Sequence, residues 1–414
     1  MSHLVIALLL SLVFATVASA RSPFVLDATV ENTRRSFGFH DILDAVDTLQ
    51  NAQLERLFSN YTEQSPVNIR LDLRGLPVRL QYGQGETTLN LVVPSCGINR
   101  AFRGNTRDDS SHAFERYLKQ EGGSELTCLL QKLAQTSPID PVTGVAGSLF
   151  QTMTIADSGL GSNVSSTSAD AKIANQFSVL LRFGRYAAHG FDSTVLSLPL
   201  GYTWNLSNGL GLAVDFPVTY SETDGAKAYN ASLGLGVRLP LSRFLLANPE
   251  RWEWDITPIV RFGAAGSPEL ASLGLVYALG VKSDVTLHLT PAWHIDLQNL
   301  VSRYKTIPIH AGDLHIDYAL ENVLFRNGLS MSIMLPGRLT FWPLVNKKLS
   351  IKGSFTDTRF TGNEIFGKAY DDVAIDFGTV SQEGGATWEN ARIGFQYTFS
   401  NDFHGFAFNL GYTF

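Results

Sequence analysis

Phe406, Phe408, Leu410, Tyr412 and Phe414 alternate with Ala407, Asn409, Gly411 and Thr413 along the last stretch of the chain. A period of two is the spacing of a β-strand, so one face is aromatic and the other is small or polar. In water such a face has to be covered by another layer. In a bilayer it needs no cover, provided that a closed sheet satisfies every backbone group where water is absent.

The same alternation recurs from about Asn175 onward. Phe177/Val179/Leu181/Phe183, Leu196/Leu198/Leu200/Tyr202/Trp204 and Leu210/Leu212/Val214/Phe216/Val218/Tyr220 each keep one apolar face. Further runs span Tyr229–Leu239, Trp252–Phe262, Leu273–Leu279, Val285–Ile295, Leu314–Leu320, Leu349–Phe355 and Ile393–Phe399. Tyr202, Trp204, Tyr220, Trp252 and Trp254 gather at run ends, where aromatic girdles meet the bilayer interfaces. Runs this long and numerous favour a transmembrane barrel over a soluble sandwich. At about 18 residues per strand and turn there are roughly 13 candidates, and because such barrels have even strand numbers about twelve are expected. The weakest lie at 328–345, where Pro336-Gly337 interrupts the pattern, and at 369–380. Asn205–Gly209 and Lys282–Asp284 read as hairpins, and 242–251, 298–312 and 360–368 as longer exposed loops.

The other end of the chain agrees with export. Leu4 to Phe14 is an unbroken apolar run followed by Ala18-Ser19-Ala20, the pattern of a cleavable signal peptide over residues 1–20. The run falls short of the about 20 apolar residues a spanning helix needs. Charged residues are only 17% of the chain, below the usual quarter of a soluble domain, while lipid-facing and lumen-facing positions cancel to a mean hydropathy of +0.04. The net charge of -6 argues against a nucleic-acid partner. Cys96 and Cys128, the only cysteines, are expected to form one disulfide in an oxidising compartment.

Residues 21–137 follow a different grammar, that of a small α+β unit. Helical spacing runs from Asp41 to Phe58. Three alternating runs follow (Val67–Leu73, Val78–Tyr82, Leu89–Val93), with turns at Gly75 and Gly83–Gly85. Ala113–Lys119 and Glu125–Leu133 read as short helices. The disulfide would tie the third strand to the last helix of a unit too small to bury much surface. Residues 138–172 are a connector in which Ser148–Asp157 is one short helix, and 173–414 is the barrel. The fold class expected is thus an all-β transmembrane barrel of about 12 antiparallel strands. A small α+β plug or periplasmic domain precedes it.

The richest polar grouping falls on presumed lumen positions: His288, His294 and Asp296 on one run, and His315, Asp317 and Glu321 on the next. Converging imidazoles and carboxylates suit a metal or a proton-linked ligand. A barrel interior is polar in any case, and these groups are expected to pair with Arg182, Arg238, Arg261, Lys282 or water instead. There is no G-x-S-x-G elbow, and His189 and Ser193 fall in an expected turn. No catalytic, metal or cofactor site is therefore assigned, and the chain is not read as an enzyme.

The terminal Phe on an aromatic strand, here Phe406 to Phe414, resembles the C-terminal assembly signal of Gram-negative outer-membrane proteins. The whole layout is a signal peptide, a short N-terminal region, a helix-capable connector and a barrel ending Asn-Leu-Gly-Tyr-Thr-Phe. It resembles the autotransporter-type translocators, mainly over residues 140–414. That resemblance implies a 12-stranded barrel with a helix threaded through its pore. It also implies residence in the outer membrane of a Gram-negative bacterium, with lipid, lipopolysaccharide and the barrel-insertion machinery as partners. The repeats of a long β-solenoid passenger do not occur, so the chain is similar to solitary barrels of this kind, with the N-terminal unit plugging or capping the pore. A gated, porin-like channel for an unidentified small solute is the alternative, and an outer-membrane enzyme using isolated His and acidic residues of the loops or rim is the less favoured third.

Overall fold

A computed structural model describes residues 21–117, 123–145, 147–161, 175–206, 209–242, 251–311, 314–338, 348–380 and 390–413. The expected signal peptide, the Ser-rich stretch after Asn163, the core of the 242–251 loop and Phe414 lie outside these residues.

The N-terminal unit is an antiparallel sheet of six strands in the order β2-β1-β3-β4-β5-β6. Its strands are β1 (Phe24–Val30), β2 (Thr33–Phe39), β3 (Val67–Leu73), β4 (Leu76–Tyr82), β5 (Leu89–Val93) and β6 (Ile98–Phe102). Helices α1 (Ile42–Asp47), α2 (Asn51–Leu57), α3 (Arg107–Arg116) and α4 (Gly123–Thr136) accompany it. The three-run meander is therefore only half of the sheet. Its other half was visible as Phe24/Leu26/Ala28/Val30, which alternate before the Glu31-Asn32 turn and are all buried. The single helix expected over 41–58 is two, each with its own N-terminal turn: the Asp41 side chain accepts the Leu43 amide at 2.7 Å, and Asp108 accepts the Asn51 amide at 2.9 Å.

Cys96 and Cys128 are joined, linking the turn after β5 to α4. Cys96 packs against the core of the unit, and Leu129 and Leu133, which follow Cys128 on α4, belong to that core with Leu89 and Val93. Replacing both cysteines with serine is expected to destabilise the unit by about 2–4 kcal/mol. Proteolysis should then cut residues 21–137 faster than in the parent, while the barrel keeps its slow unfolding in hot detergent.

Twelve strands close the barrel: β7 (Gln176–Ala188), β8 (Phe191–Asn205), β9 (Gly211–Thr223), β10 (Ala226–Pro240), β11 (Trp252–Ser267), β12 (Ser272–Thr290) and β13 (Trp293–Ile307), then β16 (Glu321–Arg338), β17 (Lys348–Gly362), β18 (Ala369–Val380), β19 (Asn390–Phe399) and β20 (Phe403–Thr413). The last strand pairs with the first, from Phe403↔Ala188 to Thr413↔Ser178, leaving no free edge. Between β13 and β16 a small ribbon, β14 (Ile309–Ala311) with β15 (Leu314–Ile316), stands outside the barrel sheet. The outward residues form an apolar belt: Phe262 is 57% exposed and Phe406 56%, with Leu279, Leu329, Phe355 and Ile375 alongside. No helix among the described residues is long and apolar enough to cross a membrane. A closed sheet with an apolar outer belt crosses by its strands instead.

Three expectations are corrected. Lys282–Asp284 is no hairpin but the middle of β12, because Lys282 and Asp284 are inward residues of one continuous alternation. The expected loop at 298–312 is mostly β13; its polar outward residues resemble loop composition, but Arg303 and Lys305 near the barrel rim, while Asn299 sits in mid-strand and donates to Asn327 of β16 at 2.7 Å. Conversely, the strand expected at Leu314–Leu320 is reduced to the three residues of β15. Of the doubtful segments, 369–380 is β18 and 328–338 is the second half of β16, residues 339–345 lying outside the described ones; a register shift between Met334 and Arg338 absorbs Pro336.

The unit closes over one rim. Phe191, Ala226 and Leu270, from three barrel hairpins, belong to the same apolar core as the sheet. The Arg21 amide donates to the Gly190 carbonyl at 3.3 Å, and the Ile42 amide to that of Glu269 at 3.2 Å. This is the rim opposite the one at which β7 begins and β20 ends.

Candidate functional site

The connector turns at Asp140, and α5 (Leu149–Gly159) then lies against the inner wall of β9 to β13. Ser148 caps it, its Oγ accepting the Gln151 amide at 3.4 Å. On its apolar side Leu149, Phe150 and Met153 are fully buried, and Phe150 packs on Tyr304 at 5.1 Å between ring centroids. The wall makes room with glycine. A Cβ at Gly263 would stand 2.8 Å from Leu149 Cδ1, and one at Gly236 would stand 3.0 Å from Leu160.

The polar side of the helix is held by charge. Asp157 and Arg261 are both fully buried, with Nε to Oδ1 at 2.5 Å, and Arg261 also reaches Asp215 at 2.8 Å. Tyr304 donates to Asp157 at 3.2 Å, and Ser232 accepts from Arg261 at 3.1 Å. A buried guanidinium between two carboxylates offsets the desolvation of all three only while each keeps its partners. At the C-terminus the free helix carbonyls meet donors: Lys282 Nζ lies 2.7 Å from the Leu160 oxygen, and Gln298 donates to Ser158 at 3.0 Å. A cation there also opposes the negative end of the helix dipole.

A second buried cluster fastens the unit to the rim. Arg74, at the β3–β4 turn with φ +53°, puts Nη1 3.5 Å from Asp140 and 3.0 Å from Ser272 Oγ. Tyr318 donates to Asp140 at 3.1 Å, and the amides of Val142 and Thr143 donate to its other oxygen at 3.0 Å. Burial and then the Asp140 charge push the Tyr318 hydroxyl well above its ordinary pKa, so it stays a donor. Sheet, connector and barrel meet at this one carboxylate.

The rim carries a titrating contact with the N-terminal unit. Asp224, at the β9–β10 turn, has a buried carboxylate oxygen without a hydrogen-bond partner. Burial, followed by the Asp192 charge, raises its pKa to about 6, partly offset by His40 from the N-terminal unit. A carboxyl raised in the folded state favours docking most below its ordinary pKa, and that contribution is lost as pH rises through about 6. After correction for the intrinsic pH dependence of amide exchange, protection in β2 should therefore fall between about pH 4 and pH 7 by the equivalent of about 1–2 kcal/mol, allowing for partial solvent screening. Asp224→Asn should abolish that change.

The six His and acidic residues read as one lumen cluster fall at opposite ends of the barrel. His288 and His294 pair across β12 and β13 near the strand-terminus rim, with ring centroids 6.0 Å apart. His288 meets Glu253 at 3.1 Å, and Asp296 lies 4.0 Å from His294 and 3.4 Å from Lys352. Glu321 opens β16 at the capped rim and binds Arg303 and Lys305. Asp317 accepts the Ala319 amide, and His315 lies on the ribbon, opposite His310. Among the described residues no group of three or more His, Cys, Asp or Glu is disposed to hold a metal ion. Arg261 and Lys282 serve the helix rather than this cluster, while Arg182 binds Gln396 and Tyr186. Arg238 faces Asp255 at 3.7 Å. His189 and Ser193 engage different partners, Asp402 at 3.6 Å and Thr223 at 2.6 Å.

Asp157 and Asp140 were missed because each lies in a short polar segment with no repeat. The inward glycines Gly234, Gly236 and Gly263 of neighbouring strands were the available signal for an object seated against that wall. Phe406 and Leu410 face outward as the terminal strand requires, with Phe408 half-buried beside them. The side chain of Tyr412, like all of Phe414, is outside the description.

The class these features define is a transmembrane β-barrel with a short helix seated against its inner wall. No family model matches the chain, and no curated protein matches it. Among solved structures it is similar to the β domain of the Bordetella autotransporter BrkA, at 14% identity over 58% of this chain and 99% of that one, TM-score 0.41. The translocator domain of the autotransporter NalP from Neisseria meningitidis is 10% identical over 72% of this chain and 99% of its own, TM-score 0.41. The COG4313 outer-membrane channel from Pseudomonas putida F1 is 12% identical over 59% and 98%, TM-score 0.38.

Proposed function

We propose that the protein is a Gram-negative outer-membrane barrel of the autotransporter-translocator type that carries its own small N-terminal unit across the membrane and keeps it. In this reading α5 is the plug and residues 21–137 are the cap. The direction of the chain through the barrel is the observation that carries it. Gly147, before α5, lies against Val195 and Thr219, whereas Gly161, after it, lies against Ala213 and Thr257. On β9 that is a descent from the capped rim toward the rim where Gln176 and Thr413 stand. A barrel inserted from the periplasm needs to push only its hairpins across, so both of its strand termini stay on the side of entry. The cap, at the other rim, is then on the cell surface, and it reached that surface through the lumen that α5 now fills.

The buried Asp157–Arg261–Asp215 group and the capped helix terminus support permanent occupancy rather than a loosely tethered gate. Protease added to intact cells should cut residues 21–137, detected through the fragment that holds the Cys96–Cys128 link, and single-channel recording of the full-length protein should show a closed barrel. Protection of that fragment in intact cells, with cleavage only after the outer membrane is opened, would refute surface display. Steady solute-dependent conductance would instead favour the gated channel, which the polar wall at His288, Glu253, Asp296 and Lys352 would line.

A further inference from the structure

The outward face of the N-terminal sheet carries a charge arrangement that neither folding nor the lumen uses. Along one row Ser36, Asp27, Arg70 and Arg79 stand side by side on β2, β1, β3 and β4, and in the next row Arg34, Thr29, Asn68 and Gln81 do so. All of these but Ser36 line a groove of about 440 Å³, open to solvent. Arg34 is held by Asp27 at 3.0 Å. Hydrogen bonds from Ser36 first and then Arg34 keep that carboxyl below its usual range, so it is ionised. Arg70 and Arg79 are directly opposed, both exposed, and no ion pair among the described residues engages Arg79. Like charges in register weaken a sheet. Three arginines against one aspartate leave the groove at +2 on a chain whose net charge is -6.

We propose that this groove binds an acidic oligosaccharide, a short chain of sugars bearing carboxylates. Two neighbouring guanidinium forks suit a carboxylate, which each can bind through two parallel hydrogen bonds. The amides of Asn68 and Gln81 and the Thr29 hydroxyl offer both donors and acceptors to sugar hydroxyls. The volume exceeds what a lone inorganic anion would fill and lies in the range of small-ligand sites. The two rows bring no exposed aromatic or large aliphatic anchor, which a protein partner would need. The site is separate from α5 and does not depend on which side of the membrane the cap faces.

The test uses full-length protein in detergent, titrated calorimetrically with a uronic-acid trisaccharide, its carboxyl-reduced neutral counterpart and inorganic phosphate. Expected is saturable binding of the acidic sugar alone, weakening with salt. Arg70→Gln and Arg79→Gln should each reduce affinity about tenfold or more, as loss of a charge-assisted pair implies. Arg79→Lys should recover only part of it, and Arg56→Gln, on α2, none should be lost. Without ligand, Arg79→Gln should melt no lower than the parent, because it relieves the Arg70 repulsion. Equal binding of the neutral sugar, full competition by phosphate, or unchanged affinity in both glutamine variants would overturn the proposal.

Discussion

Arg261→Ala is expected to free the lumen helix. The substitution leaves Asp157 and Asp215 facing one another in a dry interior, and breaking a buried pair by removing one partner costs about 3–5 kcal/mol. The backbone of Arg261 keeps its ladder pairing with Gly234 and Ala278 in the variant, so the loss falls on the seating of α5 rather than on the barrel. Single-channel recording should show intermittent opening, and a cysteine probe on the helix should become reactive. Arg261→Met with Asp157→Leu and Asp215→Leu removes all three charges and should restore much of the closure. An Arg261→Ala protein as closed and as protected as the parent would mean that apolar packing around Phe150 and Met153 alone holds the helix.

Arg74→Ala should act at the other end, on the cap. It strands Asp140 in a site where Arg74 and Asp140 are both essentially inaccessible to water, again at about 3–5 kcal/mol. It also removes the side chain that anchors a left-handed backbone residue at the β3–β4 turn. Hydrogen exchange should speed up in residues 21–117 and 138–145 together, because sheet and connector share that carboxylate, while β17 to β20 stay protected. Arg74→Ala with Asp140→Asn should recover part of the loss by removing the unpaired charge. Faster exchange confined to the β3–β4 turn would show that the cluster does not fasten the cap.

Strand number, barrel closure and the apolar belt were legible from alternation because each depends on a local rule. Where the rule bent, so did the reading. Lys282 and Asp284 resembled a hairpin because two charges two residues apart suggest solvent, whereas both face a lumen containing helix carbonyls and Gln298. Arg303 and Lys305 resembled a loop although they are outward residues approaching a rim, and Asn299 did so although it pairs with Asn327 across the middle of the wall. The disulfide followed from compartment and count. The His and carboxylate cluster did not survive, because residues adjacent in sequence order lie at opposite ends of strands of such length.

What the sequence by itself determined is therefore everything carried by period: a signal-like apolar start, strands with one greasy face, and a short helix between prolines and glycines. A helix in the pore was implied by the resemblance; only the tertiary structure decided which wall it lies against, which rim the N-terminal unit meets, and that Arg261 and Asp140 are the fastening points. Periodicity reports which face of an element avoids water, since burial of apolar area repeats with the geometry of the strand. A buried ion pair between residues 104 positions apart leaves no periodic trace, because its energy depends on two groups meeting in a dry space that exists only after the barrel has closed.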